Sequence, residues 1–300
     1  MSVTLTLANA ASLGLDRLDA QLLLLHALGK PASERAWLIA HDRDAVPDAA
    51  HDAFMALAQR RLRGEPVAYL TGHKEFFGLD LQVDARVLVP RPDTETLVEW
   101  ALDVLDGFAP PLASVGPQAL HRFASPGLRA VLDLGTGSGA VALAIKHSRP
   151  DLQVSATDFS ADALAVAHAN ARRLQLAVSF SQGSWLQGLA GRDEVAGCFH
   201  LIVSNPPYIA ARDPHLGALT YEPLHALASG ADGLDDIRAI TRQAPAHLHS
   251  GGWLLLEHGY DQAARVRALL RDAGFQGVQS RRDLSGVERC SGGLTAAAWR

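Results

Sequence analysis

The sequence predicts an α/β protein: a doubly wound, seven-stranded sheet, mostly parallel with an antiparallel last strand, preceded by a small N-terminal helical bundle and a β-hairpin linker. Three observations predict it. Leucines recur at spacings of three and four up to residue 29. Apolar residues between Gly64 and Pro90 abandon that spacing. After residue 128, short apolar runs alternate with helical segments. The expected domains are 1–72, 73–90 and 91–300.

Composition narrows the function classes before any motif is considered. The 300 residues are 48% hydrophobic and 20% charged, which excludes collagen, coiled coil and wholesale disorder. A formal charge of -5 lacks the basic footprint of a dedicated nucleic-acid binder. Cys198 and Cys290 have no C-x-x-C partner, so neither a disulfide framework nor a zinc site is encoded, and a reducing cytoplasm is expected. No apolar run reaches about 18 residues, and Asp16, Arg17 and Asp19 interrupt the leucine-rich start, which argues against a membrane span or a signal peptide.

In chain order, Leu15, Leu18, Leu22 and Leu25 form a helical stripe closed by Gly29. A short helix follows around Trp37 to His41. Pro47 and Asp48 introduce a third, with Ala50, Phe54, Leu57, Ala58 and Leu62 on one face and Arg60, Arg61 and Arg63 near its C-terminal end, where cations suit the dipole. Phe76, Leu79, Leu81, Val83, Val87 and Val89 among Gly72, Gly78 and Asp84 read as the hairpin linker. The Pro- and Gly-rich stretch Gly107 to Gly127 reads as an exposed loop. Strands are then expected at Val131–Leu134, Val154–Asp158, Val178–Ser181, Phe199–Ser204 and Trp253–Glu257. Helices are expected at Ala140–Ser148, Ala161–Leu174 with Ser160 as its cap, Asp235–His249 and Gln262–Ala273. Val278–Arg281 and Thr295–Trp299 have no helix of useful length between them, so they are expected to pair antiparallel at one edge.

Chemistry concentrates at three strand ends. The first strand runs into Asp133-Leu134-Gly135-Thr136-Gly137-Ser138-Gly139, where glycines at alternate positions allow a tight turn and close approach of a ligand to the backbone. No Gly-Lys-Ser/Thr follows, which excludes triphosphate chemistry. Asp158 ends the second strand nineteen residues after Gly139, where a carboxylate can accept from both ribose hydroxyls of an adenosine. The fourth strand leads into Asn205-Pro206-Pro207-Tyr208. The prolines stiffen the backbone, so the Asn205 amide oxygen and the Pro206 carbonyl become fixed acceptors suited to an NH2 group, with Tyr208 placed to stack on a planar substrate.

Together these residues resemble the Rossmann-like methyltransferases that use S-adenosylmethionine, and Asn-Pro-Pro-Tyr belongs to those that methylate a nitrogen on a planar group. Gly64-Glu65-Pro66-Val67-Ala68-Tyr69-Leu70-Thr71-Gly72, Glu75-Phe76-Phe77, Val89-Pro90-Arg91-Pro92-Asp93-Thr94-Glu95, Asp213-Pro214-His215-Leu216, Glu222-Pro223 and Leu254-Leu255-Leu256-Glu257-His258-Gly259 resemble the release factor glutamine methyltransferase family over nearly the whole chain.

The resemblance implies a Rossmann-like seven-stranded methyltransferase domain. It further implies methyl transfer to the glutamine of the Gly-Gly-Gln tripeptide in class 1 peptide-chain release factors, with S-adenosylhomocysteine as product. It assigns Gly135, Thr136, Gly137, Ser138, Gly139, Asp158, Trp185 and Asn205 to the cofactor. Asn205, Pro206, Pro207 and Tyr208 would bind the glutamine, with Asn205, Pro206 and Tyr208 catalytic. No metal is expected. The enzyme would act as a cytoplasmic monomer, its N-terminal bundle recognising the release factor, without nucleic acid or membrane. Two departures stand out: Ser184 occupies a position where the family usually has an acidic residue, and Phe77 one where Trp or Tyr is commoner. The rivals are a DNA adenine methyltransferase, which needs a basic face that no segment here supplies, and a non-catalytic translation adaptor, which would not need loop, carboxylate and acceptor pair together.

Overall fold

A computed structural model describes residues 1–107, 129–189 and 199–296. The chain divides into two compact units, Met1–His73 and Lys74–Arg300.

The first unit is helical: α1 (Val3–Ser12), α2 (Arg17–Ala27), α3 (Arg35–Ala40), α4 (Asp48–Leu62) and α5 (Val67–Thr71). Asp16 starts α2, its carboxylate accepting from the backbone N–H of Leu18 at 2.8 Å. Leu23, Leu24 and Leu25 of α2 pack with Leu38, Phe54 and Ala58 in one core. The buried face is therefore rotated from the expected stripe: Leu15 and Leu25 are inside, whereas Leu18 and Leu62 are exposed. Arg61 Nε donates to Asp19 at 2.7 Å, fixing α4 against α2. The expected hairpin region begins later than Gly64, because Pro66 opens the extra short helix α5 and Gly72, with φ +77°, closes it.

In the second unit, a two-stranded hairpin of β1 (His73–Phe76) and β2 (Leu79–Gln82) precedes α6 (Glu95–Asp106), a helix the sequence reading missed. Its signal was present: Leu97, Val98, Trp100, Ala101, Val104 and Leu105 are all buried on one face, and Gly107 ends it in the left-handed region. The main sheet holds β3 (Ala130–Leu134), β4 (Gln153–Asp158), β5 (Ser179–Gln182), β6 (Phe199–Ser204), β7 (Leu248–Glu257), β8 (Gln276–Arg282) and β9 (Glu288–Leu294), in the order β5-β4-β3-β6-β7-β9-β8. Strands β3 to β7 pair in parallel, and β9 runs antiparallel between β7 and β8. Helices α7 (Ala140–Ser148), α8 (Ala161–Leu174), α9 (Asp235–Gln243) and α10 (Ala263–Asp272) cover it. Leu132, Ile202 and Leu254 of the sheet share a core with Ile237 and Ile240 of α9 and Val266 and Leu270 of α10.

Two expected elements are displaced. The final strand is Glu288–Leu294, not Thr295–Trp299, and residues 297–300 lie outside those described. Gly292 and Gly293 obscured this strand, yet a Cβ on Gly292 would sit 2.5 Å from Leu255 Cδ2, so the strand needs glycine to pass so close to β7. The helix expected to run from Asp235 to His249 ends at Gln243. A 3-10 turn containing Pro245 follows, and β7 begins at Leu248, earlier than Trp253. Most of the expected loop Gly107 to Gly127, and Cys198, fall outside the described residues.

Phe54 is fully buried. Phe54→Ala is expected to destabilise the first unit by about 3–5 kcal/mol, read by denaturant unfolding; a loss below about 1 kcal/mol would contradict this packing.

Candidate active site

Strand register fixes where the site forms. Leu134 of β3 aligns with Thr157 of β4 on one side and with Ser204 of β6 on the other. The next residues, Gly135, Asp158 and Asn205, therefore leave three neighbouring strands at the same level. This is the carboxyl edge, where the strand order reverses and a crevice opens. Ser204 Oγ donates to the Leu134 carbonyl at 2.7 Å, holding the β3 and β6 ends together.

The glycine loop is built on a buried acid. Asp133 accepts from Thr136 Oγ1 at 2.6 Å and from the Ala142 backbone at 3.2 Å, and burial pushes its carboxyl up to about 7. Thr136 thus turns inward to brace the loop. Asn170 of α8 donates to the Ser138 carbonyl at 2.9 Å and exchanges hydrogen bonds with both backbone groups of Gln82, so one amide ties loop to hairpin. Gly135 adopts φ +70°, and a Cβ there would lie 3.1 Å from the Trp185 ring, so this glycine meets both a backbone and a packing demand.

Asp158 is committed on both oxygens: Oδ2 accepts from the Gly137 N–H at 2.8 Å and Oδ1 from the Ser160 N–H at 2.9 Å. Ser160 does cap α8, accepting from Ala163, but it does not release Asp158 from backbone duty. The carboxylate keeps further lone pairs for a diol.

Asn205 Nδ2 donates to Thr94 Oγ1 at 3.2 Å, which leaves Oδ1 as the end of the amide without a partner among the described residues. Tyr208 is anchored at both ends. Its carbonyl accepts from Gln262 Nε2 at 2.9 Å, and its hydroxyl donates to Glu257 at 3.4 Å. Burial and the neighbouring Glu257 raise the Tyr208 hydroxyl's pKa, so it stays a donor. Glu257 is itself buried, its carboxyl pushed up to about 7 by desolvation against the favourable influence of Thr94 and Arg289. Its Oε2 has no hydrogen-bond partner among the described residues. Arg91 pairs with the buried Glu222, which also accepts from the Val89 N–H at 3.1 Å, so Arg91 braces its own loop.

A cavity of about 220 Å³ is lined by Gly135, Gly137, Asp158, Trp185, Asn205 and Pro207, together with Ser184 and Asp236. Thr136, Ser138, Gly139, Pro206 and Tyr208 are not among its lining residues. Trp185, with φ +50°, is held by Thr157 Oγ1 on its carbonyl at 3.3 Å and by Asp236 on its indole N–H at 3.2 Å.

Comparison with known proteins agrees with this architecture. Residues 3–72 match the family model described as PrmC N-terminal domain, and residues 117–221 match Methyltransferase small domain. A release factor glutamine methyltransferase of Bordetella pertussis is 49% identical, the alignment covering 93% of this chain and 95% of the relative. One of Xylella fastidiosa strain Temecula1 is 47% identical and covers 98% of both. The chain belongs to the release factor glutamine methyltransferase family. Among solved structures, the delta-N METTL16 MTase domain superposes with a TM-score of 0.52 at 17% identity over 73% of this chain and 89% of that one, a likeness of fold. This family membership favours neither the DNA methyltransferase nor the adaptor reading.

Sequence reasoning missed Thr94, Asn170 and Asp236, each distant in the chain from the residue it contacts. Thr94 lies in the segment Pro90-Arg91-Pro92-Asp93-Thr94-Glu95, but nothing in one dimension brings it to Asn205, 111 positions away.

Glu257 has a consequence for stability. The folded chain holds its proton up to about pH 7, whereas the ordinary carboxyl value is 4.5. Between those values only the unfolded chain releases the proton, so stability falls as pH rises through that window and levels off above it. In urea titrations from about pH 5 to about pH 8, Glu257→Gln is expected to lose less stability than the parent, with Asp133 adding to the fall that remains and His200 and the buried His258, whose pKa values desolvation lowers, opposing it. An equal loss in both proteins would contradict a buried neutral acid.

Proposed function

We propose that this chain transfers the methyl group of S-adenosylmethionine to the side-chain amide nitrogen of the Gly-Gly-Gln glutamine in class 1 release factors, leaving S-adenosylhomocysteine. The observation that supports the reading is the common level of Gly135, Asp158 and Asn205 at the carboxyl edge, an arrangement suited to a nucleoside beside an amide acceptor.

The residues present fit the donor. Gly135, Gly137 and Gly139 all have positive φ, and the cavity over this loop has no Cβ from the first two in the way. The loop backbone and Trp185 would hold the nucleoside, with Asp158 on its ribose. When bound, S-adenosylmethionine supplies a methyl carbon already activated by a sulfonium, so the transfer calls for no metal.

A carboxamide nitrogen is a weak nucleophile because its lone pair is shared with the carbonyl. The protein must act by placement and by stabilising charge. Thr94 holds the Asn205 amide so that Oδ1 is the free end, and the ring of Pro207 restricts the preceding Pro206 to extended backbone, which limits the directions its carbonyl can take. Accepting one amide proton each, these two oxygens orient the nitrogen and stabilise the positive charge that grows on it. Tyr208, pinned by Glu257 and Gln262, supplies a flat wall against the substrate amide.

In this reading residues 1–72 recognise the release factor, 73–90 link, and 91–300 carry catalysis. The seven basic and eight acidic side chains in 1–72 favour recognition by shape over charge. The overall charge of -5 favours a protein partner over nucleic acid. None of the described helices is long and apolar enough to cross a membrane.

The test is incubation with labelled donor and purified release factor, with the tripeptide glutamine intact or changed to alanine. Label is expected only in the intact protein, and equal labelling of both would overturn the assignment. Asn205→Ala is expected to lower turnover at least about 100-fold while changing affinity for S-adenosylhomocysteine less than about threefold. Near-normal turnover would refute its role.

A further inference from the structure

Two carboxylates line the cavity, and they differ in what they have left to offer. Asp158 already accepts one N–H on each oxygen, from Gly137 and Ser160, and its remaining lone pairs are the ones assigned to the ribose. Asp236, in the first turn of α9, gives Oδ1 to the Trp185 indole N–H at 3.2 Å, while Oδ2 has no hydrogen-bond partner among the described residues. Its backbone is fixed as well, the N–H donating to Ser229 Oγ at 2.9 Å. The cavity lining also includes Ser184, a hydroxyl without charge.

The surroundings say which part of a ligand this oxygen suits. The Trp185 ring lies against Gly135 and offers a flat apolar surface suited to a planar base. Asp236 is hydrogen-bonded to the edge of that ring and lines the same cavity, so its second oxygen is available to a ligand that occupies it. A carboxylate accepts and never donates, so it favours an exocyclic amino group and repels a carbonyl at the same position.

We propose that Asp236 is the residue that selects adenine in the methyl donor: Oδ1 fixes Trp185 and Oδ2 accepts from the exocyclic amino group. This rests on the cavity's being the donor site. The reach is independent of the target nitrogen, since Asp236 lies on a different element from Asn205.

The experiment measures, by calorimetry without release factor, the affinity of the full chain for S-adenosylhomocysteine and for S-inosylhomocysteine, in which a carbonyl replaces the amino group. The parent chain is expected to prefer the adenine ligand at least about 30-fold, as a site built around one polar contact rejects its mismatch. Asp236→Asn keeps an oxygen for Trp185 and turns an NH2 towards the base, so the preference should fall below about threefold as the variant gains affinity for the inosine ligand. A parent ratio near one overturns the proposal without any variant. So does an Asp236→Asn chain that retains the parent ratio, or one that weakens both ligands equally, the result expected if Asp236 only positions Trp185 or meets the ligand's ammonium group. Failure of the parent to bind S-adenosylhomocysteine at all would instead overturn the donor site itself.

Discussion

The bond from Ser204 Oγ to the Leu134 carbonyl joins the last residues of two parallel strands one step before each becomes a functional loop. With both groups buried, leaving either unpaired would cost about 1–3 kcal/mol, so the two strand ends are held in one register. Everything at the carboxyl edge follows from that level. The glycine loop leaves on one side, Asn205 on the other, and Asp158 joins them through the Gly137 N–H. Side chains far apart in sequence thereby share one cavity without any long loop having to fold onto another.

Beneath this edge lies a layer of buried polar groups that carry the loops' conformations. Asp133 braces Thr136, Asn170 ties Ser138 to the hairpin, Thr94 orients Asn205, and Glu257 anchors Tyr208. Asp133 and Glu257 are carboxyls pushed up to about 7 by burial, so below neutrality each keeps its proton and hydrogen-bonds without a full charge. The arrangement suits a reaction driven by placement: a weak nucleophile gains most from acceptors that do not have to reorganise.

The alternation of apolar runs and helical segments after residue 128 was readable because a parallel sheet buries both faces of its strands and leaves continuous runs such as Val131 to Leu134. Strands with glycines in their interior were not, which is why Glu288–Leu294 was mistaken for a connection and Thr295–Trp299 for the strand. The helix Glu95–Asp106 was not expected, although its apolar spacing is regular, because it follows directly on a Pro-rich motif that breaks helical periodicity at its start. At the site, residues on the chain's own motifs were legible, since glycine, proline and a terminal carboxylate announce backbone demands locally. Their supports were not: Thr94, Asn170 and Asp236 act across 111, 88 and 51 positions, and such partners become visible only when the sheet has been assembled.

The most direct test of the account is a crystal structure of the chain with S-adenosylhomocysteine and a peptide carrying Gly-Gly-Gln. Asn205 Oδ1 and the Pro206 carbonyl should each lie about 2.7–3.2 Å from the glutamine amide nitrogen, with Asn205 Nδ2 still on Thr94. An Asn205 amide turned the other way, or a glutamine seated away from the ends of β3 and β6, would contradict it.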